Sequence, residues 1–421
     1  MPRGSIEDRL AAAGLPPLPR TAWAEIDLDA LTGNLAVLRR LADPGTAVHP
    51  VVKADAYGHG AIPVARALEA AGADGFCVAT FDEALALRGA GIVAPILVLY
   101  PIPPPLAGVA ARSRVAVTAG DQQLLDALLA TIRDDPPGTP LDVQLEVETG
   151  LGRGGFQLDA LLAAARDIVA TPGARLVSAW THFQAPADTA RTAAQVAAFE
   201  QAADVLLTGG VGLPPRHVAA SGGLLLEHVV SLDGVRPGLA IYGLVPDDLL
   251  GGAGRTAVEG AAELRPALSL HARPARVADL PSGWGISYGP SFTTTRASRI
   301  ATLPLGYGDG WPRSLSNRAS ALVRGRRVPL VGNVAMDAVM ADVTDVPGPP
   351  VSSDDEFTLI GADGDLRITA AEVAAERGTI SWEVVTNLSR RLPRVYDAAS
   401  LPRETRTLVA DEADGRRSTL T

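Results

Sequence analysis

The chain has 421 residues, 47% of them hydrophobic, and carries a net charge of −10 from 37 basic and 47 acidic side chains. Its length predicts two domains rather than one, and the lack of any Lys/Arg block argues against nucleic acid or an anionic membrane surface as partner. No apolar run approaches the ~18 residues of a membrane span, and the single cysteine, Cys77, excludes an internal disulfide and fits a reducing, cytoplasmic setting.

Residues 1–20 hold charge but no apolar core of the signal-peptide kind, and read as a mobile tail or a short helix ended by Pro16 and Pro17. An opening strand at 22–28 leads to a helix that Asp29 would cap, with Leu31, Leu35, Leu38 and Leu41 on one face. Short β-rich runs then alternate with Ala/Leu-rich helical stretches. The strands are expected at 48–52, 76–79, 96–99, 115–118, 143–147, 177–182 and 217–220, with a weak one near Val235. Eight strands joined through helices predict a parallel (β/α)8 TIM-type barrel over residues 21–255. A doubly wound sheet is the alternative, because Pro237 interrupts the last strand. Near 247–260 the composition turns to Gly, Asp and small residues, and a mostly β C-terminal domain is expected over 256–400. Its strands are expected at 268–277, 299–305, 321–324, 328–331, 338–343 and 356–360, followed by two helical pieces at 370–377 and 381–388. A polar tail over 401–421 closes the chain.

The densest group of polar residues follows the first barrel strand, in Val51-Val52-Lys53-Ala54-Asp55-Ala56-Tyr57-Gly58-His59-Gly60. A lysine after a buried strand is partly desolvated, which favours its neutral amine and makes it a candidate nucleophile. A snorkelling surface lysine would produce the same local pattern. In a barrel, reactive groups belong at the C-terminal ends of strands. Lys53, Glu146 with Arg153 beyond it, His182, Ser221 and Arg236 all fall at such positions. Each alone reads as an ordinary hydrogen-bonding residue; their joint placement on one rim is the functional signal.

The Lys53 stretch resembles the lysine motif of the alanine racemase family, whose lysine carries pyridoxal 5′-phosphate (PLP). The resemblance runs in order over residues 20–400. It includes Glu148-Thr149-Gly150-Leu151-Gly152-Arg153, Thr181-His182-Phe183, Val235-Arg236-Pro237-Gly238, Ile286-Ser287-Tyr288-Gly289, Leu305-Gly306-Tyr307-Gly308-Asp309-Gly310, Gly332-Asn333-Val334-Ala335-Met336-Asp337 and Leu392-Pro393-Arg394-Val395-Tyr396. The resemblance implies a head-to-tail homodimer with shared active sites, acting on a small amino acid, and D-alanine for peptidoglycan as product. It implies Lys53 and Tyr288 as bases on opposite faces of the substrate, Tyr288 reaching in from the partner subunit. A phenol titrates near pH ~10, so Tyr288 needs a cation, which the resemblance supplies as Arg153. Tyr57, Ser221, Gly238 and Tyr396 match phosphate contacts, His182 matches a histidine beside the cofactor, and Arg236 matches an arginine facing the pyridine nitrogen. Met336 and Asp337 match the partner segment near the substrate carboxylate, and Tyr307 a tyrosine at the entrance. A guanidinium cannot accept a proton, so the electron sink stays weak, which favours racemisation over transamination.

This chain departs from the family pattern in two places. Many members carry a carbamylated lysine where Glu146 stands, so Glu146 is expected to pair directly with Arg153. Asn333, Ala335 and Ala338 replace the commoner arginine, cysteine and glutamine, which would loosen or enlarge the pocket. A racemase for serine or for a broad set of amino acids is therefore the main alternative. A same-fold decarboxylase would carry a catalytic cysteine in its second domain, and a non-catalytic PLP carrier would lack that domain. No metal is expected, since the six histidines (His49, His59, His182, His217, His228 and His271) show no paired ligand spacing.

Overall fold

Strand β1 (Ala22–Asp27) is followed by a helix, Leu28–Leu41, and then by eight parallel strands. These are β2 (Ala47–Val48), β3 (Phe76–Val78), β4 (Ile96–Val98), β5 (Val115–Ala119), β6 (Leu141–Glu146), β7 (Ala174–Trp180), β8 (Arg216–Ala220) and β9 (Gly234–Arg236). The computed structural model describes residues 4–226, 231–249 and 260–408. The expected domain junction at 255–256, His228 and the end of the polar tail lie outside them. The barrel strands run in the order β2-β9-β8-β7-β6-β5-β4-β3, and a parallel bridge between Val51 and Cys77 closes the ring. Their side chains are mostly buried, as parallel strands covered by helices require. The crossover helices include Ala61–Ala70, Phe81–Gly89, Gln122–Asp134, Leu158–Ala170 and Thr189–Thr208. The barrel expected from sequence is present, and the doubly wound alternative is excluded by closure. Asp27, not Asp29, accepts the Ala30 N–H (2.8 Å) at the start of the Leu28–Leu41 helix, so the cap falls two residues earlier than expected.

The remaining strands are antiparallel for the most part: β10 (Leu268–Ala272), β11 (Arg276–Leu280), β12 (Ser298–Leu303), β13 (Ser320–Val323), β14 (Arg326–Val331), β15 (Val339–Asp342), β16 (Phe357–Asp363), β17 (Leu366–Ile368), β18 (Arg394–Ala398) and β19 (Leu401–Arg406). The strand expected over 268–277 is two strands, because the chain turns between β10 and β11. Their sheet has the order β11-β12-β15-β14-β13-β16-β10-β1-β18-β19, with β17 on β16. The opening strand thus belongs to this sheet and not with the barrel: β1 pairs antiparallel with β10 and parallel with β18. Residues 401–406, expected as tail, pair with β18.

By contact density the chain forms two units. The described residues of Met1–Ala30, Gly58–Gly60 and Pro266–Thr421 make the β unit, and those of Leu31–Tyr57 and Ala61–Arg265 the barrel unit. The N-terminal residues are anchored within the β unit. Helix α1 (Ile6–Ala12), capped by Ser5, buries Ile6 and Leu10 against Trp23 and Val395. Its buried Arg9 donates to both oxygens of Glu25 (2.8 and 3.2 Å) and to Asp397 (2.7 Å). Seven residues are too few for an independent helix, so this packing is what holds it. Among the described residues no helix is long and apolar enough to cross a membrane.

Candidate active site

Lys53 follows Val51 and Val52 at the barrel's C-terminal rim. Directly after it, Ala54, Asp55, Ala56 and Tyr57 all have left-handed backbone conformations, with φ of 51°, 56°, 54° and 50°. For L-residues this costs roughly 1–2 kcal/mol each, so the turn persists only because its surroundings fix it. The Ala54 N–H donates to Glu83 (2.6 Å), the Asp55 carboxylate accepts from Ala61 N–H (2.9 Å), and Ala56 N–H bonds to Val52 O (2.9 Å). The Tyr57 ring meets Tyr242 edge-on at 5.0 Å, and the Tyr242 hydroxyl donates to Val51 O (2.8 Å). The reversal therefore begins on alanines, ahead of the glycines that mark it in the sequence. Burial lowers the Lys53 pKa and the Arg153 charge lowers it further, while Glu83 opposes both. The half-buried amine is therefore biased towards its neutral form.

Around the same rim, Glu146 at the end of β6 is buried and pairs with Arg153 (Nη2···Oε1 3.2 Å), as expected. Arg153 also stacks over Tyr100, 5.8 Å from the ring centre. Burial raises the Glu146 pKa, and the bond from Arg153 only partly offsets this. The Glu148 carboxylate accepts from the backbone N–H groups of Gly150 and Gly152, fixing the loop that carries Arg153. Arg236, at the end of β9, is fully enclosed. It donates to the carbonyls of Thr181 (2.6 Å), His217 (3.1 Å) and Val218 (3.3 Å), bonds to the Nδ1 atoms of His217 and His182, and lies 4.8 Å over the Trp180 ring. Burial lowers its pKa to about 10, so it stays a cation at neutral pH. Burial, then the charges of Arg236, Arg153 and Lys53, push His182 down to about 3. His182 is thus a neutral ring.

Ser221, just past β8, accepts two backbone N–H groups through its Oγ, from Gly238 (2.9 Å) and Ala240 (3.1 Å). Its own O–H remains a donor. A Cβ at Gly238 would lie 2.6 Å from the Tyr57 hydroxyl, so the backbone here approaches a phenol as only glycine permits. Hydroxyls and close-lying backbone suit a phosphate, an always-charged guanidinium suits a ring nitrogen, and Lys53 suits an aldehyde. The barrel residues fit pyridoxal phosphate.

The remaining expected site residues lie in the β unit. Tyr288 is 76% exposed, and Met336 (52%) and Tyr307 are exposed as well. Tyr307 N–H donates to Ala335 O (3.0 Å) and Gly308 N–H to Met336 O (2.9 Å), locking the two segments together. Asp337 accepts from Arg391 (2.6 Å). Tyr396 on β18 is buried and packs its hydroxyl end against Gly60. Three further residues of the site are not singled out by the sequence. Glu83 holds Ala54, Ala79 and Thr80 N–H groups together (2.6, 2.9 and 3.2 Å), and only its Thr80-x-x-Glu83 capping pattern is visible in sequence. His217 takes Arg236 on one nitrogen and Gln144 (2.8 Å) on the other. Gln195 bonds His182 O (3.0 Å), Thr149 (3.2 Å) and Gln184 N–H (2.9 Å).

A closed (β/α)8 barrel with a lysine after its first strand, joined to a β unit, is the architecture of the barrel class of pyridoxal-phosphate enzymes. Family models of the alanine racemase N-terminal domain and C-terminal domain match residues 26–246 and 267–396. The chain belongs to the alanine racemase family. It is 38% identical over 379 residues to the alanine racemase of Desulfovibrio desulfuricans, covering 90% of this chain and 98% of that one. The structure of Bacillus anthracis alanine racemase with bound L-Ala-P superposes with a TM-score of 0.84 at 34% identity, over 94% of this chain and 100% of that one. A histidine racemase from Leuconostoc mesenteroides superposes with a TM-score of 0.81 at 29% identity, over 91% and 99%.

Proposed function

We propose that this chain interconverts L- and D-alanine with PLP, as a homodimer whose active sites combine the barrel of one subunit with the partner subunit's Tyr288, supplying D-alanine for peptidoglycan in the cytoplasm. The observation that carries the reading is Arg236. It is buried and cationic at neutral pH, with its Nη1 and Nη2 atoms held by carbonyls and imidazoles. Set against a pyridine nitrogen, it neither gives nor takes a proton, which limits the charge the ring withdraws and disfavours transamination.

PLP, once bound, supplies the electron sink for the charge left when Cα loses its proton. The chain does the rest. Lys53 would hold the cofactor through its amine, and the same amine is the group placed to exchange a proton with Cα on one face. The Tyr288 hydroxyl exchanges a proton on the other, so that a proton taken from one side is replaced from the opposite one. Arg153, steadied by Glu146, is the cation that the reading sets beside that hydroxyl. His182, a neutral ring, would lie beside the cofactor, and Ser221, Gly238, Tyr57 and Tyr396 would hold its phosphate. Met336, Asp337 and Tyr307 line the approach of the substrate. Tyr288, Tyr307 and Met336 are exposed and so accessible to a partner subunit, as the shared site requires.

The test is proton NMR of L-alanine, L-serine and L-histidine in D2O with the PLP-loaded protein, followed by chiral chromatography. Loss of the alanine Cα–H signal with D-alanine appearing is the expected result. Exchange of serine or histidine with alanine untouched would overturn the substrate assignment and leave the cofactor reading intact.

A further inference from the structure

Tyr288 sits at the tip of a hairpin-like turn closed by a bridge between Gly285 and Thr293. Ile286 and Phe292 on its flanks pack against Ile300, Val331 and Met340, but Tyr288 at the tip is exposed, and the backbone there is unusual: Ser287 has φ +67° and Gly289 φ +51°. A polar staple holds it. The Asn333 side-chain N–H groups donate to two successive carbonyls, Tyr288 O (2.8 Å) and Gly289 O (3.0 Å). Its side-chain oxygen accepts from the Ser291 hydroxyl (3.0 Å), and its backbone oxygen accepts from the Ser287 hydroxyl (2.6 Å). Asn317 braces the arrangement from behind, donating to Ser291 (2.9 Å) and accepting the Gly332 N–H (2.6 Å). Gly332 is left-handed (φ +78°), and a Cβ on it would lie 2.7 Å from Ile286 O, so the two strands of chain are pressed together here.

We infer that Asn333 is a positioning residue for Tyr288. The inference rests on the reading above that Tyr288 is one of the two bases. The carboxamide has the right composition for this role, with two donors for two carbonyls and one acceptor for a hydroxyl. Shortly after it lie Met336 and Asp337, whose turn is closed by Ala335 N–H to Ala338 O (2.9 Å) and bonded to the Tyr307 loop. Asn333 therefore ties the tyrosine turn, the entrance tyrosine and the substrate segment into one body. The Asn333 side chain is committed to the Tyr288 and Gly289 backbone.

A base displaced by ~1 Å can lose about 100-fold in rate. Asn333→Asp keeps the shape and the Ser291 contact but sets a carboxylate against two carbonyls. The experiment measures Cα–H washout from L-alanine and D-alanine separately in D2O, with the holoenzyme of wild type, N333D and N333A, alongside the visible band of bound PLP. We expect a ~10- to 100-fold loss of washout from one enantiomer only, the one whose proton Tyr288 removes, with the other enantiomer and the band little changed. Equal losses for both enantiomers would indicate a general structural effect and overturn the inference, as would no loss. Hydrogen–deuterium exchange of the 284–292 segment gives a readout independent of turnover: it should quicken in both variants while the Lys53 segment stays as in wild type. If wild type leaves alanine untouched, the functional reading fails, and the exchange of 284–292 still decides whether Asn333 holds the turn.

Discussion

Replacing Ala54 by glycine is expected to stabilise the protein, although the same substitution in a helix does the reverse. Ala54 is exposed and left-handed, so deleting its Cβ leaves no cavity and removes roughly 1–2 kcal/mol of conformational strain. Against this stands the greater freedom of glycine in the unfolded chain, about 0.5–1 kcal/mol. The difference is a gain of roughly 0.5–1 kcal/mol, or ~1–3 °C in Tm for a protein of this size. Ala56 provides an internal contrast. It has the same conformation but is 0% exposed, so A56G also gives up a buried methyl, about 0.8 kcal/mol, and should be close to neutral. Ala163, exposed in the right-handed helix Leu158–Ala170, provides the opposite sign: A163G should cost about 1 kcal/mol. Thermal melts of the three PLP-loaded variants, followed by circular dichroism, should rank A54G above A56G above A163G. An A54G midpoint lowered as far as that of A163G would refute the reasoning.

Glu146→Gln keeps a hydrogen-bond acceptor for Arg153 and removes a carboxylate whose burial outweighs its pairing. With Arg153 partly solvent-screened, stability should be unchanged or raised by up to ~1 kcal/mol, while alanine exchange falls about 10-fold; a clear drop in Tm would contradict this. Gly238→Ala forces Tyr57 aside, so PLP affinity, read by absorbance titration, should weaken by at least ~10-fold in a protein that still folds; a wild-type titration would remove the cradle from the account. His182, His217 and His49 are all held below their usual range, chiefly by burial. Their unfolded forms therefore bind protons that the folded forms refuse, and stability is lost as pH falls from ~6.5 towards 3. His182 alone should contribute about 1–2 kcal/mol of that loss by pH 5. Urea midpoints at pH 7 and 5 should show it, and His182→Asn should flatten the slope; identical slopes would show that His182 is not buried neutral.

The barrel was legible because each of its strands is a short apolar run punctuated by a helix, a pattern that is local. Lys53, Arg236 and His182 were legible as strand-end polar residues, whereas the Glu146–Arg153 pair was expected only from the family resemblance, as a carboxylate standing in for a carbamylated lysine. The left-handed turn was not, since Ala54 and Ala56 are by propensity right-handed helix formers, and only Glu83, Asp55 and the Tyr57–Tyr242 contact override them. The membership of β1 in the β sheet was not legible either, because pairing between strands so distant in sequence leaves no trace in local pattern. Tyr288 read locally as a turn aromatic, and only the family resemblance singled it out. The Asn333 contacts join residues 45 positions apart, where a single sequence looks merely like the loss of an arginine.

The place of β1 between β10 and β18 also sets a timetable for biosynthesis. Trp23 and Ile26 leave the ribosome early, yet the strand that receives them, starting at Leu268, is made roughly 245 residues later. At roughly 5–20 residues per second that is a wait of about 12–50 s. In that interval the barrel acquires all of its strands, while β1 is an apolar edge without a neighbour. Until β10 and then β18 are made, neither edge of β1 has the neighbour it holds in the finished sheet.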